Sequence, residues 1–327
     1  MVTMRAAVYR RTGAAKDVLE VIDLERPEPG PGEVRVQVSV SAVNPTDVKN
    51  RAGLSTRTIE EFQVPHMDGA GVIDAVGPGV DPARVGQAVW MLLAAHENRY
   101  GTAAEYALVP EARAVVLPPG LAFDLAATLG VPAVTAADCL LRDGSVTGCD
   151  VLVAGGAGGV GRAAIQMAKW AGARVAATVS GPEKAEVACA AGADLVVNYR
   201  DDDVADQLRS WSTGFTRVVE VSLGANIALD AAVAAQDATI VSYATDGGDA
   251  LIPVRPSLWQ TLTYRYTLLY NLSPETRAKA VAAVEGALRD GALDLPPTTR
   301  FPLDRIAEAQ LAQEAGPFGR VLVDVTY

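Results

Sequence analysis

The 327-residue sequence is poor in the residues that hold metals and disulfides. It has two histidines, His66 and His96, and three cysteines, Cys139, Cys149 and Cys189. A zinc site rich in histidine and cysteine would need nearly all of these side chains to meet, and the cysteines show no CxxC spacing. We therefore predict no metal site and no disulfide framework, and we expect a reducing, cytoplasmic setting.

Long apolar runs and positive charge are also scarce. No run of about 18 apolar residues occurs, which argues against a membrane-spanning helix. The first residues lack the apolar stretch of a secretory signal peptide, so we expect none. There are 28 Lys and Arg against 39 Asp and Glu, which gives a formal net charge of −11. Because an acidic surface repels phosphate backbones and anionic lipid, no nucleic-acid or membrane partner is expected.

The chain is 50% hydrophobic, and its length is typical of two domains. In Glu33–Val43 valines alternate with polar residues, which predicts a strand with one buried face and one solvent face. Other short strands are predicted in the same part of the chain at Gly71–Val76, Val85–Leu93 and Ala103–Val109. Many short strands punctuated by glycine and proline are typical of a small barrel or sandwich.

After Pro118-Pro119-Gly120 the pattern changes to strands that alternate with helices. Strands are predicted at Asp150–Ala154, Arg174–Val179, Asp194–Asn198, Arg217–Val221 and Thr239–Tyr243. Helices are predicted between them at Val160–Ala171, Pro182–Ala191, Val204–Ser212 and Ile227–Ala235. This alternation indicates a parallel sheet with helices on both faces.

The sharpest motif is the glycine-rich stretch 155–161. Gly156, Gly158 and Gly161 form GxGxxG between a predicted strand and a predicted helix, which is the context that the motif requires. Glycine there permits a tight turn, close approach of a pyrophosphate and close helix packing, while free amides at the helix start bind phosphate oxygens. We therefore predict a dinucleotide site with these contacts: Gly156, Ala157, Gly158, Gly159 and Val160.

The second strand of this unit points to NADPH rather than NADH. An NAD site usually carries an acid at the tip of that strand, whereas here the strand ends at Ser180. Lys184 follows in the next predicted helix, and Tyr199 with Arg200 closes the neighbouring strand. A hydroxyl, helix amides and an ammonium group suit a 2′-phosphate, which a carboxylate would repel.

Taken together, the chain resembles the medium-chain dehydrogenase/reductase superfamily, in its zinc-independent NADPH:quinone oxidoreductase branch. The resemblance covers essentially the whole chain. It rests on these motifs: AVNPTDVKNRAG at 42–53, DGAGV at 68–72, VPAVTA at 131–136, the glycine loop, Ser180 with Lys184, and Asn198-Tyr199-Arg200.

The resemblance implies an α/β protein with two domains. A GroES-like, β-rich catalytic domain would comprise residues 1–120 and 293–327. A Rossmann domain, a doubly wound parallel sheet that binds NADPH, would comprise residues 121–292. The cofactor and the substrate would bind between the two domains.

The resemblance also implies further contacts and a homodimer. Asn44 and Thr135 would lie near the nicotinamide, Tyr243 would touch the cofactor, and Arg320 would reach phosphate. The aromatic segment Tyr264–Tyr270 resembles an edge strand that pairs across a homodimer, as exposed edges invite.

Departures from relatives matter as well. Zinc-dependent members carry a cysteine where Asn44 stands and a His-Glu pair where this chain has Met67-Asp68. His66 is therefore expected to be a structural or surface histidine and not a metal ligand. Lys49 replaces a tyrosine found in many quinone reductases, and it is a weak catalytic candidate that could stabilise an oxyanion or simply face solvent. We expect the loop Leu54–Phe62 to set specificity.

The implied activity is hydride transfer from NADPH to a quinone or an α,β-unsaturated carbonyl without a metal. Such acceptors need little activation, so orientation and hydrogen-bond donors suffice. Two alternatives stay open: a reductase of one specific activated alkene in a biosynthetic pathway, and a non-catalytic NADPH-binding protein with a structural or regulatory role. Cys139 and Cys189 are expected to be inert core thiols.

Overall fold

The computed structural model describes residues 2–55, 58–245 and 247–325. It divides into two compact units: Met1–Val131 with Asp294–Tyr327, and Pro132–Leu293. Thr56 and Arg57, within the expected specificity loop, lie outside the described residues, as do the first residue and the last two of the expected catalytic domain.

The secondary structure follows the chain in this order. The strands are β1 Thr3–Val8, β2 Glu20–Glu25, β3 Glu33–Val43, β4 Asp68–Val76, β5 Ala88–Met91, β6 Tyr106–Pro110, β7 Ala114–Val116, β8 Asp150–Ala154, β9 Arg174–Val179, β10 Leu195–Asn198, β11 Phe215–Glu220, β12 Ala234–Ser242, β13 Thr263–Tyr266, β14 Thr298–Pro302 and β15 Arg320–Asp324. The helices are α1 Ala15–Val18, α2 Pro45–Ala52, α3 Phe123–Ala127, α4 Gly130–Leu141, α5 Gly159–Trp170, α6 Pro182–Ala190, α7 Val204–Trp211, α8 Leu223–Val233, α9 Val254–Trp259, α10 Pro274–Arg289 and α11 Ile306–Glu314.

The first unit is built on a seven-stranded sheet in which β3 is central. The strand order is β14-β15-β3-β4-β5-β7, and β6 also pairs with β3. β1 and β2 form a separate antiparallel pair. The core gathers valines and alanines from β1, β3, β6 and β15, together with side chains of α11.

The expected solvent face of β3 is wrong in part. Arg35 and Ser41 are buried, at 4% and 0% exposed, although Gln37 faces solvent. The reason is that partner strands and loops cover much of both faces of β3, and the buried polar groups find partners. Arg35 donates to Asp74 at 2.9 Å, and Ser41 Oγ lies 2.9 Å from His66 Nδ1.

Residues 121–131 belong to the first unit, whereas we expected them in the second. Two features account for this. Helix α3 packs against β3, β4 and β5 of the first unit. The backbone N–H of Val131 donates to the carboxylate of Asp68 at 2.9 Å, which ties the start of α4 to β4.

The second unit is a six-stranded parallel sheet in the order β10-β9-β8-β11-β12-β13. Numbered along the chain, this is the order 3-2-1-4-5-6 of a doubly wound nucleotide-binding fold. Its core includes Leu152, Phe215 and Ile240 from three neighbouring strands. The expected fold class is therefore confirmed.

The order in which successive strands are added reverses between β8 and β11, and at this switch point such sheets bind ligands beyond the carboxyl ends of their strands. Strand β13 stands at the edge of this sheet and ends at Tyr266, so the strand predicted to run to Tyr270 is shorter than expected. A 3-10 turn at Leu269–Asn271 follows. No helix among the described residues is long and apolar enough to cross a membrane.

Candidate functional site

Five neighbouring strands of the second unit end at one edge of the sheet. The residues that end or follow β8 to β12 at this edge are Gly155, Ser180, Tyr199, Glu220 and Tyr243. Because the strands are parallel and adjacent, the structure brings together the glycine turn and four of the predicted cofactor contacts. Those four are Ser180, Lys184, Tyr199 and Tyr243.

The glycine turn between β8 and α5 folds tightly on itself. Gly155 has a φ of +70°, and Gly158 N donates to Gly155 O at 2.9 Å. A Cβ on Gly161 would lie 2.2 Å from Gly155 O, and a Cβ on Gly156 would lie 2.8 Å from Ala177 Cβ. Internal packing therefore requires glycine at positions 156 and 161.

Gly158 differs, because an added Cβ there would meet the protein much less closely than at positions 156 and 161. Its φ is −72°, and the contact nearest to an added Cβ would be Gly155 O at 3.3 Å. The residue is exposed, and α5 begins directly after it. The first-turn amides of α5 lack carbonyl partners within the helix. A bare backbone beside free amides fits the pyrophosphate of a dinucleotide.

Polar and cationic groups lie beside this turn. Lys184, in the first turn of α6, is exposed, and Ser180 at the end of β9 is half-buried. Tyr199 is 48% exposed, and the Arg200 guanidinium lies 5.8 Å from the centre of its ring. The exposed Glu183 shares the first turn of α6, but no acid occupies the tip of β9.

Two carboxyl groups are buried at the end of β11, where sequence reasoning assigned no function. Glu220 and Asp230 are 0% and 1% exposed, and one oxygen of each, Glu220 Oε2 and Asp230 Oδ2, has no hydrogen-bond partner in the described part of the chain. Burial and the negative charge of Glu220 raise the pKa of Asp230 well above its usual value. An acid that closes an apolar strand at the carboxyl edge of a predicted parallel sheet is the signal that could have found Glu220.

Tyr243 follows β12, and its backbone N–H donates to Glu220 O at 3.1 Å. Burial, Cys139 and Glu220 raise the pKa of the phenol above its ordinary value, so it stays neutral. Thr135 lies in α4 and is buried.

Burial raises the pKa of Cys139 to about 12, which agrees with an inert thiol. Cys189 is exposed, so its expected place in the core is wrong: it lies on the solvent side of α6.

The first unit contains a second buried polar cluster, built around Asp68. Asn44 Nδ2 donates to Asp68 Oδ2 at 2.8 Å, and Val131 N donates to both Asp68 oxygens at 2.9 Å. Arg320 Nη2 lies 3.8 Å from Asp68 Oδ2. Asp47, at position N3 of α2, accepts from Asn44 N at 2.8 Å and so anchors the helix start.

Burial raises the pKa of both carboxyls of this cluster. Burial and the nearby charge of Asp68 raise the pKa of Asp47 to about 8. Burial raises the pKa of Asp68 to about 6, and Arg320, Asn44 and Val131 limit that rise. Asp68 is thus the negative partner of the buried Arg320. Asp68 is the first residue of the DGAGV motif, and no role was predicted for it from the sequence.

The cluster places Asn44 and Arg320 together, but Arg320 is 4% exposed and faces Asp68. A phosphate contact by Arg320 therefore stays a prediction. Lys49 is exposed on α2, and its catalytic role likewise stays a prediction.

His66 belongs to a buried chain of hydrogen bonds and not to a metal site. Its Nδ1 lies 2.9 Å from Ser41 Oγ, and its Nε2 lies 3.3 Å from Gln310 Nε2. Ser41 Oγ continues to Thr102 Oγ1 at 2.7 Å, and Thr102 donates to Asp68 O at 2.6 Å. Since Gln310 donates to Nε2, the imidazole is neutral with its proton on Nδ1. Burial and Arg320 lower its pKa to about 3.

These groups do not fit a zinc ion. Both nitrogens of His66 are engaged, and Asp68 already faces a guanidinium. Within residues 2–55, 58–245 and 247–325, no group of three His, Cys, Asp or Glu side chains could hold a metal ion.

The glycine turn gives a matched pair of variants. We expect Gly158→Ala to lose only about 1 kcal/mol of unfolding free energy, because alanine is a poorer N-cap than glycine, but to bind NADPH at least about tenfold more weakly. We expect Gly161→Ala to lose about 2–4 kcal/mol of unfolding free energy, because its Cβ meets the Gly155 carbonyl. Denaturant unfolding and NADPH fluorescence titration measure the two effects. Unchanged NADPH affinity in Gly158→Ala would contradict the assignment.

The Asp68 cluster gives a second matched pair of variants. We expect Asp68→Asn to lower the unfolding free energy by about 3 kcal/mol, because the buried Arg320 would lose its charged partner Asp68 and keep only its interaction with Asp47. Asp74→Asn is the matched control on the same strand. Its partner Arg35 keeps Glu28 at 2.8 Å, so a loss of about 1 kcal/mol is expected. Equal losses in urea unfolding would show that Arg320 does not depend on Asp68.

Comparisons with known proteins agree with the fold. Residues 159–286 match the family described as zinc-binding dehydrogenase, and residues 30–119 match the alcohol dehydrogenase GroES-like domain. A quinone oxidoreductase of Lama guanicoe is 28% identical over 325 residues, which cover 98% of this chain and 97% of that protein.

Two further relatives add detail. The chloroplastic NADPH-dependent alkenal/one oxidoreductase of Arabidopsis thaliana is 35% identical over 211 residues, covering 62% of this chain and 54% of that protein. A crystal structure of an NAD-dependent alcohol dehydrogenase has a TM-score of 0.89 and 31% identity, and the match covers 99% of this chain and 100% of that one. The chain belongs to the medium-chain dehydrogenase/reductase family, in its quinone oxidoreductase branch.

Proposed function

We propose that this oxidoreductase uses NADPH to reduce a quinone or an α,β-unsaturated carbonyl without a metal. The observation that carries the proposal is the glycine turn at the switch point of the parallel sheet, beside a strand that ends in a hydroxyl group and not an acid. The names of relatives support the acceptor class, since one is a quinone oxidoreductase and another an alkenal/one oxidoreductase.

The surroundings of Ser180 favour NADPH over NADH. The exposed Lys184 and Arg200 lie near the ends of β9 and β10, where the adenosine ribose of a dinucleotide binds in this fold. A 2′-phosphate there would meet two cations and a hydroxyl group, and these donors bind phosphate strongly. One relative is named NADPH-dependent, whereas the structural relative is named NAD-dependent, so this preference needs its own test.

The chain's own residues would hold and orient the reactants. The glycine turn and the α5 amides would bind the pyrophosphate, and Asn44, Thr135 and Tyr243 are proposed as further cofactor contacts. When bound, NADPH supplies a hydride, and a quinone that takes up this hydride and one proton becomes a hydroquinone. The donor groups around Asp68 do not suit zinc, which supports metal-independent chemistry. Lys49 remains the candidate that could stabilise negative charge on the acceptor oxygen.

The first experiment measures NADPH oxidation by 1,4-benzoquinone and by a simple enone, with a metal chelator present and with an enzyme-free control. We expect enzyme-dependent loss of NADPH absorbance that the chelator does not change. Loss of activity on chelation would overturn metal independence. Binding of NADPH without turnover of either acceptor would favour a reductase of one specific alkene or a non-catalytic NADPH-binding protein.

The cofactor preference is tested by Lys184→Ala. We expect its dissociation constant for NADPH to rise about tenfold, while that for NADH stays unchanged, because only NADPH carries the 2′-phosphate. Lys279→Ala is the control, since Lys279 is an exposed lysine of the same unit paired with Glu275 at 2.7 Å. Equal weakening of both cofactors in Lys184→Ala would show that the ammonium does not recognise the phosphate.

We also propose a homodimer in a cytoplasmic setting. β13 is an edge strand, and exposed apolar side chains lie on it and on nearby α9, including Tyr266 at 65%, Leu258 at 71% and Trp259 at 74% exposed. An edge with such a patch favours pairing with a second copy. Light scattering at micromolar concentration is expected to give the mass of two chains, and the mass of one chain would overturn the dimer.

A further inference from the structure

The Glu220–Asp230 pair lies at the point where the strand order of the parallel sheet reverses. Glu220 ends β11, the strand next to β8, and β8 leads into the glycine turn. Val221, the next residue, contacts that turn: its Cγ1 lies 3.2 Å from the position that a Cβ on Gly155 would take. The segment after Glu220 therefore packs directly on the first residue of the glycine turn.

Glu220 fixes this segment through one of its carboxylate oxygens. Its Oε1 accepts a hydrogen bond from the backbone N–H of Ser222 and another from Asn226 Nδ2 at 3.0 Å. Ser222 precedes the first residue of α8, and Asn226 lies in the first turns of that helix. Through these two bonds, one side chain holds both the turn after β11 and the start of α8.

The second oxygen of Glu220 needs a proton. Glu220 Oε2 and Asp230 Oδ2 are both buried, and neither receives a hydrogen bond from an N–H or O–H donor in the described part of the chain. Two facing carboxyl groups without a donor between them repel each other when both are ionised. One proton shared between them removes that repulsion and supplies the hydrogen bond.

The surroundings offer little compensation for a second negative charge. Tyr243 faces the pair from the segment after β12, and Cys139 on α4 faces Tyr243. Both of these groups are acids, and burial keeps them neutral. Burial and the charge of Glu220 both raise the pKa of Asp230.

We propose that the proton-sharing Glu220–Asp230 pair positions Val221 and Ser222 against the glycine turn, and that loss of the shared proton weakens binding of the dinucleotide. This inference rests on the proposed function, because it concerns the same cofactor. The folded pair keeps a proton that two separate carboxyls would lose. Its stabilising effect is therefore present at low pH and is lost as the pH rises through the raised pKa of the pair.

The test is NADPH titration, followed by the fluorescence of the bound cofactor, from about pH 6.5 to about pH 9.5. We expect the dissociation constant of the wild type to rise about tenfold over this range. Glu220→Gln and Asp230→Asn each keep the shape of the pair with one charge fewer, so their dissociation constants should stay flat. Glu275→Gln is the control, because Glu275 is an exposed acid on α10 of the same unit, where it pairs with Lys279. Its profile should follow the wild type.

Hydrogen–deuterium exchange of peptides that cover residues 219–231 gives a readout independent of cofactor binding. In the wild type, protection corrected for the intrinsic pH effect should fall at alkaline pH. In Glu220→Gln and Asp230→Asn it should not fall. This second measurement also covers the case in which a variant does not fold, because the wild-type profile alone must show the transition.

The outcomes separate the two proposals. If the wild type binds NADPH equally well across the range, or if the two variants keep the wild-type pH dependence, the positioning role is wrong. If the wild type binds no NADPH at any pH, the proposed cofactor is wrong, and the exchange measurement still decides whether the pair holds the segment.

Discussion

The close approach of the Gly155 carbonyl to Gly161 is the constraint on which the nucleotide edge depends. A side chain at position 161 would lift the start of α5 away from β8, and the helix amides would no longer point at the turn. The neighbouring strands can add a hydroxyl group, a lysine and a tyrosine to this edge only because the turn is so compact. The side chains that would select the cofactor thus depend on a backbone geometry that requires glycine.

Each unit contains a buried carboxylate cluster, and the two are neutralised differently. In the first unit Arg320 balances Asp68, so the charge is held by a counter-charge that does not titrate in the physiological range. In the second unit burial and the charge of Glu220 raise the pKa of Asp230, and the two carboxyls are proposed to share a proton. The buried carboxyls of both units have raised pKa values, but only the Asp68 cluster contains a buried guanidinium as the partner.

The sequence predicted the fold well where local pattern and tertiary position agree. The strand–helix alternation located β8 to β12, and the GxGxxG motif located their functional edge. The alternation in β3 misled, because a central strand buries polar side chains such as Arg35 and Ser41 once partners for them exist. The partners of Asp68 and Glu220 lie far along the chain or on another element, and no local pattern encodes such pairs.

The first unit is assembled from two distant parts of the chain. Strand β15 hydrogen-bonds to the central strand β3, yet it lies among the last residues of the sequence, after the whole of the second unit. During synthesis from the N-terminus, the continuous second unit can finish folding while β3 still lacks this neighbour. Until β15 has been synthesised, Asp68 also lacks Arg320. A nascent chain that lacks β15 therefore presents an open edge of β3, and such unpaired edges can pair with other chains.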